Sequence, residues 1–270
     1  MLTDVHAHLT HAVFADDLDQ VLERAALASV STVVVNGLEP RSNRRVLELS
    51  RQHPGIAAAL GIYPLDAAAR MLSTHPWPFD FREPEVFDID EEIAFIEAHA
   101  SEIVAIGECG LDGHWVPESL PAQVAVLEQL CALSLKLDLP LILHSRRAEE
   151  KTFQVIQSCG VKRAVFHCFM GRKKLAQEIA AAGYYLSIPP IVERTESFQV
   201  IVRTVAPEQL LLETDSPYLS ADRGGRNEPA AARRSADWIQ QCWGVDRDAC
   251  HERLAANTRA ALGTSTVGKG

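Results

Sequence analysis

The amino-terminal stretch LTDVHAHLTH, residues 2–11, puts three histidines and an aspartate into ten residues. Side chains two apart on a strand point the same way, so His6 and His8 can aim at one cation. His11 falls beyond the strand, and Asp4 shares the pair's face one layer deeper, where support suits it better than ligation. H-x-H alone is a weak signal, because a single strand histidine is more often a hydrogen-bonded structural residue than a ligand. The rest of the chain supplies partners. Glu108 closes the run IVAIGE, His144 closes LPLILH, His167 stands near the end of RAVFHC and Asp215 closes LLLETD. A carboxylate has two oxygens, so Glu108 can bridge two ions, with His6, His8 and Asp215 around one and His144 and His167 around the other. Mixed imidazole and carboxylate ligands suit zinc, manganese and, with more oxygen, magnesium. Two such ions about 3.5–4 Å apart clamp both sides of a displacement at phosphorus or carbon and lower the pKa of a water between them. Asp215 is placed to orient that water or take its proton.

Those six residues act together only if one architecture brings them to a common place. Eight apolar, β-rich runs read as strands: 2–8, 32–37, 56–62, 103–108, 139–144, 163–168, 184–188 and 210–215. Several are apolar on both faces, as buried parallel strands are. Amphipathic stretches lie between them, including 16–29, 120–138 and 173–183, the last ending on Gly183 where a helix-terminating glycine belongs. Two further helices read from AARRSADWIQQCWG and RDACHERLAANTRAALG. Eight alternations imply an α/β fold of the (β/α)8, TIM-like barrel type, a single domain over residues 1–263 with a frayed tail at 264–270. A doubly wound open sheet competes, but no G-x-G-x-x-G follows any strand. In a barrel, the carboxyl ends of the strands carry the active site, and the candidate ligands all sit there. A long connection, residues 64–88, leaves the same face after the third strand and holds His75, Trp77, Phe79 and Phe81, which either stack on a ring or pin the loop.

Composition narrows the partners. The chain has 270 residues and a net charge of −10, from 26 lysines and arginines against 36 aspartates and glutamates. Such a field does not attract nucleic acid, so a nucleic-acid substrate needs a local basic or metallic site. The six cysteines form no C-x-x-C pair and read as buried, reduced thiols. There is no basic segment followed by an apolar one at the start and no run of 18 apolar residues. The expectation is a cytoplasmic protein, neither secreted nor membrane-spanning.

The motifs DVHAH (4–8), GECGLD (107–112), LHSR (143–146), HCFMG (167–171), ETDSPYL (213–219) and RNEP (226–229) together resemble the TatD family of metal-dependent deoxyribonucleases, within the amidohydrolase-like barrels. The likeness runs from residue 2 to about residue 262. It implies a TIM-like barrel with two divalent ions (magnesium, manganese or zinc), held by His6, His8 and Asp215, by Glu108 as the bridge, and by His144 and His167. It further implies DNA or another phosphate-bearing substrate and a nuclease activity that in some members removes nucleotides from a 3′ end, with Glu108 and Asp215 as catalytic residues. By the same resemblance Arg226 and Asn227 are candidate substrate contacts, and Arg146 stands beside them as a basic residue at the mouth. Two departures stand out. The family's G-x-H-P reads GIYP here, with Tyr63 where the histidine belongs, and Arg147 replaces the acidic residue that often follows HSR. A phenol donates a hydrogen bond to a phosphate but does not replace imidazole as an acid at neutral pH, whereas Arg147 adds positive charge unless it simply starts a helix. The competing readings are an ester or amide hydrolase on the same centre, and a catalytically silent binding protein.

Overall fold

The computed structural model describes residues 1–74 and 82–263. Its eight strands are β1 (Leu2–Ala7), β2 (Val30–Asn36), β3 (Ile56–Leu60), β4 (Ile103–Gly110), β5 (Leu141–His144), β6 (Ala164–Phe166), β7 (Tyr185–Ile188) and β8 (Leu210–Leu212). They run parallel in sequence order. The helices are α1 (Leu18–Leu27), α2 (Pro40–Gln52), α3 (Pro64–Ala67), α4 (Ala69–Leu72), α5 (Ile89–Ala98), α6 (Leu120–Leu137), α7 (Glu149–Ser158), α8 (Lys173–Ala181), α9 (Glu196–Thr204), α10 (Ala232–Trp243) and α11 (Arg247–Leu262). This is the expected (β/α)8 barrel.

Two apolar layers build it. The larger lies between strands and helices, where Leu141, Leu143, Leu210 and Leu212 meet α-helical residues such as Leu127, Leu130 and Ile239. The smaller takes one residue from every strand (Val5, Val34, Ala59, Ala105, Ile142, Val165, Tyr185 and Leu211) and is joined by Ala261 and Leu262 of α11. A cluster drawn from all eight strands is the filled interior of a barrel.

The seam between β8 and β1 is closed by few bonds, and two of them are made by a side chain. Ala7 bridges Ser216, the Asp215 N–H donates to His6 O at 2.8 Å, and the His8 N–H donates to Ser216 O at 2.7 Å. Below these, the fully buried Asp4 carboxylate accepts from the N–H of Thr214 at 2.9 Å, its hydroxyl at 2.5 Å and the N–H of His6 at 3.2 Å. A carboxylate thus does the work of a ladder bond, and it ties His6 to the stretch that leads from β8 to Asp215.

Several expectations are adjusted. Strands β6 and β8 stop short, leaving His167 and Asp215 just past them, because Cys168 and Asp215 turn into the left-handed region with φ of 44° and 55°. The 64–88 connection begins as α3 and α4 rather than as open loop, since Pro64 at the first helical position is preset for a helix. The ring residues singled out in it, His75, Trp77, Phe79 and Phe81, lie outside the described residues, as does the 264–270 tail. Beyond that gap, Arg82 returns to the buried Asp66, which also accepts from the Glu85 N–H at 3.0 Å. Gly183 follows α8 at φ 88°, as a helix-ending glycine should. All six cysteines are free. Cys109, Cys131 and Cys250 are buried as expected, whereas Cys159 and Cys168 are half-buried and Cys242 is exposed. Helix α6 with its lead-in is long and apolar enough to cross a membrane by composition alone. Its Leu127, Leu130 and Cys131 are instead buried in the barrel's outer core.

Candidate metal centre

The six candidate ligands, contributed by five strand ends spread round the barrel, converge. The Nε2 atoms of His6 and His8 lie 3.1 Å apart. Glu108 Oε2 is 3.4 Å from each of them, and Asp215 Oδ1 is 3.6 Å from the first and 3.3 Å from the second. The two Nε2 atoms and Glu108 Oε2, 3.1–3.4 Å from one another, surround a point about 2 Å from each, near the bond length of zinc to nitrogen or magnesium to oxygen. The other carboxylate oxygen, Glu108 Oε1, faces away, 2.9 Å from His144 Nδ1 and 3.1 Å from His167 Nε2. Glu108 therefore divides its two oxygens between two donor groups. The second group has three protein atoms, the number found in sites that leave a position to substrate or water. The donor set fits divalent cations in both places.

Neighbouring backbone makes room for this. A side chain at Gly61 would come within 2.4 Å of Glu108 O, and one at Gly110, at φ 134°, within 2.0 Å of His144 O. Both glycines let β3 and β5 close on β4 around Glu108. Arg147, Cys168 and Asp215 hold left-handed φ values of 52°, 44° and 55° at the ends of β5, β6 and β8. L-residues adopt that conformation at about 1–2 kcal/mol each, so the fold carries strain where it turns chain into the site.

Two acids missed at the sequence level hold the imidazoles. Glu213, fully buried, accepts from the Cys168 N–H at 2.7 Å and sets its other oxygen 3.4 Å from His167 Nδ1. Asp112, also fully buried, is 2.8 Å from His144 Nε2 and accepts from the N–H groups of His114 and Trp115. Asp112 thereby fixes which nitrogen His144 turns to Glu108, and Glu213 stands where it can do the same for His167. A signal existed for Glu213: it precedes Asp215 by two, the spacing that set Asp4 beneath His6.

Charge inside the centre is balanced in a way that asks for a cation. Burial raises the pKa of Glu108, but His167, His144 and His6 outweigh it and hold the carboxyl well below its usual range. Burial opposes protonation of His167, yet Glu108 and Glu213 together raise it well above an ordinary imidazole. His8 and His144 are raised against burial by Asp215 and by Asp112 and Glu108, while burial and the charge of His167 push His6 down. Asp215 stays below the ordinary carboxylate range, because the bond to His8 overcomes burial. Protons on imidazole thus supply the positive charge that the two carboxylates demand.

The residues assigned to substrate are dispersed. Tyr63 is half-buried and meets the His144 ring edge to face, centroids 5.1 Å apart, so it belongs to the centre. Burial, with Glu108 and Asp112 nearby, keeps its phenol protonated far above neutrality. Arg146 is exposed, with its guanidinium 5.2 Å from the centroid of Trp115. Arg147 is exposed too, and it sits in the loop before α7 rather than in the helix. Neither arginine has an ion-pair partner among the described residues. Arg226 is placed otherwise: its guanidinium is bound to Asp17, to Glu228 and to Val13 O, and lies over the Phe14 ring. Those acids satisfy the charge that a substrate contact would need, and Arg226 is a strut between loops. Asn227 is 2% exposed. Its amide donates to Thr214 O at 2.7 Å and its N–H to Pro217 O at 3.0 Å, so it braces the chain on either side of Asp215 instead of reaching the mouth. His114 packs on Trp115, centroids 4.9 Å apart, and His11 caps the turn at residues 12–14.

Comparison with known proteins adds four findings. The profile of the family described as TatD related DNase matches residues 3–263. The human deoxyribonuclease TATDN3 is 33% identical over 266 residues, 97% of this chain and 93% of that protein. The 3′-5′ ssDNA/RNA exonuclease TatD of Escherichia fergusonii is 28% identical over 97% of this chain and 99% of its own. The crystal structure of YJJV, a TatD homologue from Escherichia coli K12, superimposes with a TM-score of 0.83 at 26% identity, over 97% of this chain and 98% of that one.

Proposed function

The chain belongs to the TatD related DNase family, and from that premise we propose that it is a phosphodiesterase which uses two divalent cations to hydrolyse single-stranded DNA from the 3′ end. The observation that carries the proposal is the division of Glu108, one oxygen toward His6, His8 and Asp215 and the other toward His144 and His167. In this reading His6, His8 and Asp215 hold one cation, His144 and His167 the other, and Glu108 both; magnesium, manganese and zinc all suit such donors. Bound there, the cations supply Lewis acidity at the phosphate and lower the pKa of water.

The chain's own groups do the rest. Asp215, turned by its left-handed backbone and oriented through Oδ1 by His6 and His8, keeps Oδ2 to take the proton of the attacking water. Glu108 stays ionised and fixes the spacing of the two donor groups. Glu213 and Asp112 hold His167 and His144 in the tautomers that face Glu108. The neutral Tyr63 phenol donates to a phosphate oxygen beside His144, and Arg146 and Arg147, without ion pairs among the described residues, bind the strand's backbone.

A labelled oligonucleotide tests this. With magnesium or manganese it should be shortened stepwise, and in water enriched in oxygen-18 the heavy atom should enter the product phosphate. The second reading, ester or amide hydrolysis of a small molecule on the same centre, is favoured by the net charge of −10 and by Tyr63 at the histidine position. It requires an intact oligonucleotide and label in a carboxylate.

A further inference from the structure

One large ring stands bare beside this polar centre. Tyr218 is 53% exposed, and its position is fixed. Its N–H donates to Asp215 O at 2.8 Å, and the Asn227 N–H fastens the preceding Pro217 O at 3.0 Å. Two imidazoles hold the ring edgewise: His8 with centroids 6.2 Å apart at 65°, and His11 at 6.0 Å and 85°. His8 is one of the four donors that converge at the centre, so the ring lies one side chain from the reacting group. Val13 and Met170, 42% and 57% exposed, belong to loops that leave the same end of the barrel after β1 and β6. A rigid, half-exposed aromatic ring at an active-site mouth gains nothing for the core and is available to a ligand.

We infer that Tyr218 is the stacking residue for the nucleobase next to the phosphate being cleaved, which makes this centre select an unpaired nucleotide over a small phosphodiester. The inference rests on the phosphodiesterase reading. Base-paired, stacked nucleotides have no free face to offer, whereas a frayed or single-stranded end has one. Every base has a π face, so the preference is for single strands rather than for a sequence. The four-residue turn from Asp215 to Tyr218 couples the reacting group to the base platform, and Asn227 braces both.

The test compares oligothymidylates whose 3′-terminal or penultimate nucleotide carries its base or is abasic, cleaved by the wild type, Tyr218→Ala and Tyr218→Phe. Tyr218→Ala should lower kcat/KM on the normal strand about tenfold or more. Tyr218→Phe should keep the wild-type value. On the strand abasic at the recognised position the wild type should already be slow, and Tyr218→Ala should add no further loss. Equal losses for Tyr218→Ala on normal and abasic strands would show that the ring only supports Asp215 and His8, and would overturn the inference alone; so would no loss on either. If the wild type leaves every strand intact, the phosphodiesterase reading falls and the stacking role falls with it.

Discussion

Glu213 touches no substrate and no candidate cation, yet it determines how His167 can bind one. Its carboxylate faces His167 Nδ1 and leaves Nε2 for Glu108 and the cation. Replacing such a support commonly costs 10–100-fold in metal affinity. Glu213→Gln should therefore weaken metal binding by about that factor, with activity restored at excess metal; unchanged affinity in a metal titration would show that His167 needs no support. A linked effect follows from the raised imidazoles. His167, His8 and His144 hold protons in the metal-free centre beyond the pH at which an ordinary histidine releases them. A cation must displace those protons, so affinity falls as pH falls, and binding at neutral pH releases protons. Calorimetry in buffers of different ionisation enthalpy reads that release directly, and identical heats in all buffers would contradict it.

At the scale of elements, the β1–β8 seam is the place to break the barrel. Asp4 satisfies three buried donors, two of them on Thr214 across the seam and one on His6 of its own strand, and an unsatisfied buried donor costs about 1–3 kcal/mol. Asp4→Ala should lower stability to urea by about 3 kcal/mol or more and disorder His6 and Asp215 together; a loss under 1 kcal/mol would mean that the backbone bonds alone hold the seam. Arg226 offers the contrast. Its pairs with Asp17 and Glu228 join the β1 and β8 loops at the surface, where such pairs contribute about 1 kcal/mol or less. Arg226→Ala should cost that much stability and leave kcat unchanged; a large fall in kcat would return Arg226 to the substrate. The difference between these two residues also shows where reading the chain stops. Asp4 was legible because it lies two before His6 on one strand, a spacing that fixes its face. Arg226 was not, because its partner Asp17 is 209 positions away and no local period pairs them. Asn227 was misjudged for the same reason: its polarity was visible, but not the carbonyls of Thr214 and Pro217 that take it inward.

Across the whole molecule, an acidic chain must bind an acidic polymer. Most of the arginines with nearby acids are already spoken for, as Arg24, Arg44, Arg51, Arg82, Arg226 and Arg234 are. Arg146 and Arg147 are not paired among the described residues, and they stand where β5 delivers His144. Arg146→Ala with Arg147→Ala should raise KM several-fold, leave kcat nearly unchanged and flatten the dependence of KM on salt, because fewer phosphate contacts release fewer counterions. An unchanged salt slope would place the strand elsewhere. The barrel itself was legible from eight apolar runs and their alternation with helices, since a strand buried on both faces leaves that mark. So were the candidate ligands, because each ends a run and a barrel gathers such ends on one face. The bare ring of Tyr218 was not, since exposure beside His8 depends on the turn at Asp215 and on its brace from Asn227.

The most direct test of a two-cation phosphodiesterase is a titration. Protein stripped of metal by chelation and dialysis is given increasing equivalents of manganese, and cleavage of a single-stranded oligonucleotide is followed at each step. The account predicts no cleavage without metal, recovery that saturates at two equivalents per chain, and no recovery for Glu108→Ala. Full activity at one equivalent, or cleavage that persists in the stripped protein, would contradict it.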